Sequence, residues 1–199
     1  MKRVCLLFAF ALLCTLTVAA DGKGDALLAQ MSAKIKAMGT YEVVFNVSVG
    51  EFKSEGRYMV SGKAYQLTLG DVDVYCDGTD RYEINRTQEE ITVDKINLSE
   101  RNILNNPVGG LDFIGEEFSS AVVSQDEKAT VVNLVRKQDA NNTSIEVTVN
   151  TSTGLPTRIV YRMAGDAITV DLKSIRPSSA PLQRFDKSDY PGYEIIDFR

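Results

Sequence analysis

Histidine is absent from this chain. That absence removes Ser-His-Asp and Cys-His nucleophile systems, imidazole acid–base work, and nearly every zinc site other than an all-cysteine or carboxylate one. Cysteine is scarce, with Cys5, Cys14 and Cys76 alone. Positive charge is in deficit: 22 Lys and Arg face 27 Asp and Glu, for a net charge of −5. Such a balance excludes a phosphate-backbone partner, so no nucleic acid is expected, and it supplies no polybasic membrane anchor. Proline, at 5 residues, and glycine, at 14, are too few for a disordered or collagen-like chain. Gly-rich phosphate loops, HExxH and CxxC do not occur. Asp71, Asp73, Asp77 and Asp80 are not spaced as an EF-hand loop and lack its closing glutamate. The adjacent pairs Glu89-Glu90 and Glu116-Glu117 diverge on a strand or a helix, so neither makes a glycosidase pair. No enzyme, metal or cofactor is expected.

Long hydrophobic runs are also missing, save one. After Lys2 and Arg3 an uncharged apolar stretch runs from Val4 to Val18 and ends on Ala19 and Ala20. It is shorter than the ~20 residues of a membrane span and has the layout of a secretory signal, cut after Ala20. Residues 1–20 are thus expected to direct export to the periplasm, and 21–199 to form one domain, large enough for a core without disulfides. A lipid anchor on Cys14 is disfavoured because Leu13 precedes it where a small residue is needed. Cleavage leaves Cys76 alone, in the period-two run Val72, Val74, Cys76, where a buried strand residue is expected rather than a nucleophile.

Asp25 to Met38 is the long helix: Leu27, Leu28, Met31, Ile35 and Met38 recur at helical spacing, Asp25 caps the start and Gly39 follows. From Thr40 the period changes to two. Tyr41, Val43, Phe45, Val47 and Val49 share a face, followed by Tyr58 and Val60, then Tyr65, Leu67 and Leu69. The breaks between them, at Gly50 to Gly56 and Ser61-Gly62-Lys63, are hairpin-length. The series continues with Val72 to Cys76, Tyr82 and Ile84, Ile91 and Val93, and later Val131 to Val135, Ile145 to Val149, Ile159 to Met163, Ile168 to Leu172, and Tyr193 to Phe198. About ten to eleven strands at 8-to-12-residue spacing after one helix signify a large antiparallel sheet, sandwich or barrel.

Ile96 to Ser120 breaks the rhythm. Ser99 and Asp112 can cap two short helices separated by Pro107 and Gly109-Gly110, with Leu98, Ile103, Leu104, Val108, Leu111, Phe113 and Ile114 as their apolar face. The segment either plugs the open end of a barrel or forms a movable lid over a cavity; both need the same apolar face. The apolar side chains exceed what one sheet face requires. Tyr58, Tyr65, Tyr82 and Tyr161 in particular suit either an ordinary core or the wall of an apolar ligand site.

The order of these signals resembles the periplasmic outer-membrane lipoprotein carriers (LolA) over essentially the whole of residues 21–199. The motifs carrying the resemblance are Tyr41 to Val47 after the helix, Glu55 to Val60, and Val74-Tyr75-Cys76-Asp77-Gly78-Thr79-Asp80-Arg81-Tyr82-Glu83-Ile84. Thr153-Gly154-Leu155-Pro156 and the ending from Phe185 through Pro191 to Asp197 support it. The resemblance implies an unclosed antiparallel barrel whose concave apolar face is covered by the N-terminal helix and a short helical lid. It implies a carrier that takes acylated lipoproteins or lipid from an inner-membrane ABC-type release complex to the outer membrane, without cofactor; a monomer is expected. The expected cavity wall comprises Val43, Phe45 and Val47; Tyr58 and Val60; Tyr65 and Leu67; Val74; Tyr82 and Ile84; Val147; Ile159 and Tyr161; and Ile168 and Val170. The lid is expected to carry the seven apolar residues named above, from Leu98 to Ile114. One departure is Ser61 and Gly62, standing where the family has a lid-latching Arg followed by Pro. An alternative is a lipid-sensing or protein-interaction module of the same fold without transport.

Overall fold

The computed structural model describes residues 22–96, 117–137, 143–163 and 165–199. The expected signal, residues 1–20, and all seven expected lid residues lie outside the described residues.

Helix α1 spans Lys23–Lys36, with Asp25 in its first turn and Lys34 and Lys36 in its last, each sign matching the helix dipole. It ends before Gly39, whose φ of 70° turns the chain into the sheet. The expected helix is therefore present, shifted two residues toward the N-terminus. Leu28 and Met31 are its buried side chains.

Among the described residues twelve strands follow. β1 (Thr40–Val49), β2 (Phe52–Ser61), β3 (Ala64–Leu69), β4 (Val72–Cys76), β5 (Asp80–Asn85) and β6 (Glu90–Lys95) form an antiparallel meander. β7 (Phe118–Gln125), β8 (Ala129–Arg136), β9 (Ser144–Asn150), β10 (Pro156–Met163) and β11 (Asp166–Pro177) form a second. Pairing of β1 with β11 joins them, and β12 (Glu194–Asp197) adds to β6, giving one sheet of order β12-β6-β5-β4-β3-β2-β1-β11-β10-β9-β8-β7. The sheet does not close on itself, so the fold is an unclosed, mainly antiparallel barrel with a helix.

Three strands differ from the sequence reading. β2 begins at Phe52, inside the stretch Gly50 to Gly56 read as a break, because the β1–β2 ladder continues out to Val49 and Phe52. β7 falls partly in the segment read as an interruption; its sequence Phe-Ser-Ser-Ala-Val-Val-Ser-Gln lacks an apolar alternation, and a bulge near Val123 breaks its register. β12 pairs with β6 in parallel, although the pattern suggested antiparallel pairing throughout. Residues 178–193 make that possible by carrying the chain back across the sheet, anchored where Ser178 N–H donates to the Thr40 carbonyl at 2.9 Å.

Register assigns the faces. Tyr41, Val60, Tyr65, Cys76 and Arg81 stand in one cross-strand row, and Val43, Tyr58, Leu67, Val74 and Glu83 in the next. Val47, Val170, Ile159, Val147 and Val132 continue the same face across the other half. This is the inner face, packed with Leu28 and Met31 of α1 into one cluster. Tyr82 and Ile84 are a correction: pairing with Tyr75, Val93 and Ile91 puts them on the outer face, in a second cluster. The apolar face of the sheet changes sides at β5 because Phe185, Tyr190 and Tyr193 of the returning segment cover the outside there. Phe185 stacks on Tyr82, ring centroids 4.3 Å apart, and on Tyr190 at 5.8 Å, while the Tyr190 and Tyr75 hydroxyls bond at 3.2 Å.

Candidate functional site

Of the expected cavity wall, thirteen residues share the inner face and its single apolar cluster. Phe45, Val47, Tyr58, Val60, Tyr65, Leu67, Val74, Val147, Ile159, Tyr161 and Val170 are buried there, with Val43 and Ile168 half-buried against them. A strand's period of two is what gathers them: each strand contributes alternate residues, and hairpin registers align the alternations. Tyr82 and Ile84 do not join this group.

Three aromatic rings make a track across strands β1 to β3. Phe45 stacks on Tyr58 with centroids 5.5 Å apart, and Tyr58 meets Tyr65 edge-on at 6.1 Å. Burial, reinforced by the neighbouring Tyr65, holds the Tyr58 phenol well above its ordinary value. Cys76, the free cysteine among the described residues, lies opposite Tyr65 and is buried. Burial raises its thiol too, favouring the protonated form, and the residue is the buried strand position that its spacing suggested.

Beyond Cys76 the inner face becomes polar, a change that apolar periodicity does not show. Arg81 pairs across from Cys76 and donates through Nη2 to the Glu83 carboxylate. Burial opposes the guanidinium charge, but the Glu83 hydrogen bond and charge outweigh it and the Arg81 pKa rises. The available signal was parity: Arg81 and Glu83 occupy the same strand face as Val74 and Cys76 across the turn, which forces Tyr82 and Ile84 to the other side.

Helix α1 crosses the inner face with a polar tether near each end. Ser120 on β7 donates to Asp25 Oδ1 at 2.5 Å, and Lys34 Nζ donates to the Thr153 carbonyl at 2.5 Å. Gly24 lies so close to β7 and β8 that a Cβ there would stand 2.6 Å from Ser120 Oγ and 3.1 Å from Val132 Cγ1. Around the rim Val49, Phe52 and Met163 remain exposed. By register they continue the inner face outward at the hairpin tips.

The outer face carries an ion cluster around a buried carboxylate. Glu42 accepts from Arg176 Nε at 2.8 Å and Nη2 at 2.5 Å, and Arg57 Nη1 lies 3.2 Å away. Two cavities of about 500 and 450 Å³ flank residues 180–185 on that side, the first lined by Arg57, Met59 and Gln66, the second by Tyr75 and Tyr82. Among the described residues no group of three or more carboxylate or cysteine side chains is placed to hold a metal ion, and no helix is long and apolar enough to cross a membrane.

No family model and no curated protein matches the chain. Solved structures do. An uncharacterized conserved protein from Thermus thermophilus superposes with a TM-score of 0.56 at 5% identity, covering 87% of this chain and 98% of that one. A LolA superfamily protein from Nitrosomonas europaea matches at a TM-score of 0.39 and 11% identity over 84% and 96% of the two chains. LprF from Mycobacterium bovis matches at 0.48 and 11% identity over 82% and 96%. The likeness is one of fold alone: the Thermus match shares the mainly antiparallel sheet, and the unclosed sheet with a helix laid across its inner face agrees with the architecture that the sequence resemblance implies.

Proposed function

We propose that this protein is an exported carrier that holds the acyl chains of lipoproteins against the inner face of its sheet and moves them from the inner to the outer membrane. The observation that carries this reading is the continuous apolar inner face, capped by a helix that two polar tethers hold near its ends. A buried chain of about 14 methylenes gains roughly 11 kcal/mol at ~0.8 kcal/mol each, so a permanently open pocket of the same chemistry would never release its cargo. A cover that packs the face when empty lowers that gain, because binding must first displace it. The seven apolar residues between Leu98 and Ile114 are proposed to share the covering role. The signal-like pattern of residues 1–20 supports delivery to the periplasm, and the family resemblance supports an inner-membrane ABC-type release complex as donor.

The test supplies residues 21–199 with a purified triacylated lipoprotein and the native release complex. A soluble one-to-one complex is expected; failure to form one sinks the reading.

One observation favours the module without transport. Ser61 bonds to Thr40 through their hydroxyls at 2.9 Å, and Gly62 has φ 61°, which proline cannot adopt. The family's latching Arg-Pro pair is thus replaced by an ordinary hairpin end. Deleting the gene separates the readings: lipoproteins retained at the inner membrane indicate a carrier, and normal sorting with an altered envelope response indicates the module.

A further inference from the structure

Among the described residues, Arg81 Nε is the buried side-chain nitrogen or oxygen that lacks a hydrogen-bond partner. A buried donor without an acceptor is costly and rare, and it asks what acceptor the site is built to receive. Arg81 stands on the inner face at the end of the Phe45, Tyr58 and Tyr65 track, directly across from Cys76. Its side chain as a whole is 19% exposed while Nε itself is buried, so the unmet donor lies just beneath the surface at the end of the apolar wall. That is where the polar root of a ligand lies when its chains are on the wall.

The charge around Arg81 selects the type of acceptor. Glu83 and the Tyr65 hydroxyl already bind the guanidinium, leaving Nε unmet, and the register places Asp94 beside Arg81 on β6. Two carboxylates against one guanidinium leave no surplus positive charge for a phosphate or a free fatty acid. A neutral oxygen fits instead.

We infer that Arg81 anchors an acylated ligand, its Nε–H donating to the carbonyl oxygen of an acyl ester at the root of the chains. The inference rests on the acyl-binding reading above and adds what that reading leaves open, namely how the protein tells an acylated molecule from any other apolar one. Acyl chains supply affinity without register; one hydrogen bond at the end of the track fixes where the chains begin.

The experiment compares three fluorescent probes of equal chain length on the folded protein: a diacylglycerol, its dialkyl ether analogue lacking both carbonyls, and the free fatty acid. The ester is expected to bind about tenfold tighter than the ether, the size of a hydrogen bond from a charged donor. The fatty acid is expected to bind more weakly than the ester. In Arg81→Met ester and ether should bind alike. Arg81→Lys, which keeps the charge but loses the Nε donor, should also lose the preference. Equal binding of ester and ether by the unaltered protein overturns the inference and leaves the carrier reading standing. So does tighter binding of the fatty acid, or an ester preference that survives both substitutions. Uptake of none of the probes overturns the inference and the carrier reading together. The ester–ether comparison needs no variant to fold.

Discussion

The Phe45 ring lies across Gly56, so close that a Cβ at position 56 would sit 2.3 Å from Cζ. The two residues face each other in the β1–β2 register, and the missing side chain is what lets the ring reach Tyr58. Replacing a strand glycine by alanine ordinarily helps, by roughly 0.5–1 kcal/mol. Here the sign reverses, because Phe45 is 1% exposed and has nowhere to move. Gly56→Ala is expected to lower stability by about 1–3 kcal/mol, read as a fall in the urea midpoint. Combining it with Phe45→Leu should recover part of that loss, giving a coupling of at least about 0.5 kcal/mol in a double-mutant cycle.

Glu42 and its two arginines make an asymmetric cluster. The Glu42 side chain is 7% exposed, whereas those of Arg57 and Arg176 are 64% and 66% exposed. Removing the carboxylate leaves two cations that water can solvate. Removing both arginines leaves a buried anion without its ion-pair partners, which is the costlier defect. Glu42→Gln is therefore expected to cost about 1 kcal/mol, and the Arg57→Ala/Arg176→Ala pair about 3 kcal/mol, compared by chemical denaturation at one pH.

The inner face was legible because antiparallel pairing turns alternation along a strand into a continuous surface. From Tyr41 through Val74 the apolar positions of the sequence pattern fall in the observed cluster, except Val49, which is exposed at a hairpin tip. It stopped being legible at β5. The apolar side of that strand is set by residues some hundred positions later, when Phe185 and Tyr190 fold over Tyr82 and Tyr75. Local periodicity shows that Tyr82 and Ile84 share a face but not which layer covers it. β7 was hidden for a related reason. Its inner position 120 is a serine that bonds to Asp25, so a helix tether occupies a place where the pattern demands an apolar residue. Arg81 is not legible from apolar periodicity, because it is a charged residue at the point where the apolar wall ends.

Cys76 and Tyr58 predict the alkaline limb of stability. Burial raises both above their ordinary values of 9.0 and 10.0, so the folded state keeps the neutral forms while the unfolded chain ionises. Tyr190 is raised as well, by burial and by its bond to Tyr75. Each group's contribution is complete below its ordinary value and is lost as pH rises through that value toward the folded one. The urea midpoint is expected to hold until about pH 8.5 and then fall through pH 9 and 10. Tyr58→Phe should make the decline shallower.

Phe185 is the keystone of the outer cluster, stacked between Tyr82 and Tyr190 and half-buried. Phe185→Ala removes both stacking contacts at a cost of about 2 kcal/mol, below the range for a fully buried ring because part of this one is already in water. The loss should be local. Its separate cluster means that residues 178–199 loosen while the inner core persists, so trypsin is expected to cut at Arg184 and Lys187 faster than in the parent, with the global unfolding midpoint less affected. Uniform loss of protection across the sheet would contradict this division.

The tethers of α1 offer the most direct route from structure to carrier function. Asp25 and Lys34 hold the helix near its two ends, to Ser120 and to the Thr153 carbonyl, while Leu28 and Met31 fill the inner face between them. If chains bind where those two side chains sit, affinity is reduced by the free energy of holding the helix down. Weakening the tethers should then raise it. Each contact is worth about 1 kcal/mol, so Asp25→Ala with Lys34→Ala shifts the covered-to-open balance by about 2 kcal/mol, or roughly 30-fold. Because the covered state remains the majority, that shift should appear as a gain in acyl-probe affinity approaching the same factor. A control comes from Met31→Ala, which also weakens the cover but removes part of the core, so it should lower stability more than it raises affinity. Titrating a fluorescent diacyl probe into the parent and the double variant, with urea midpoints measured alongside, reads both quantities. A double variant with lowered stability and unchanged affinity would mean that the helix belongs to the permanent core and that chains enter elsewhere on the inner face.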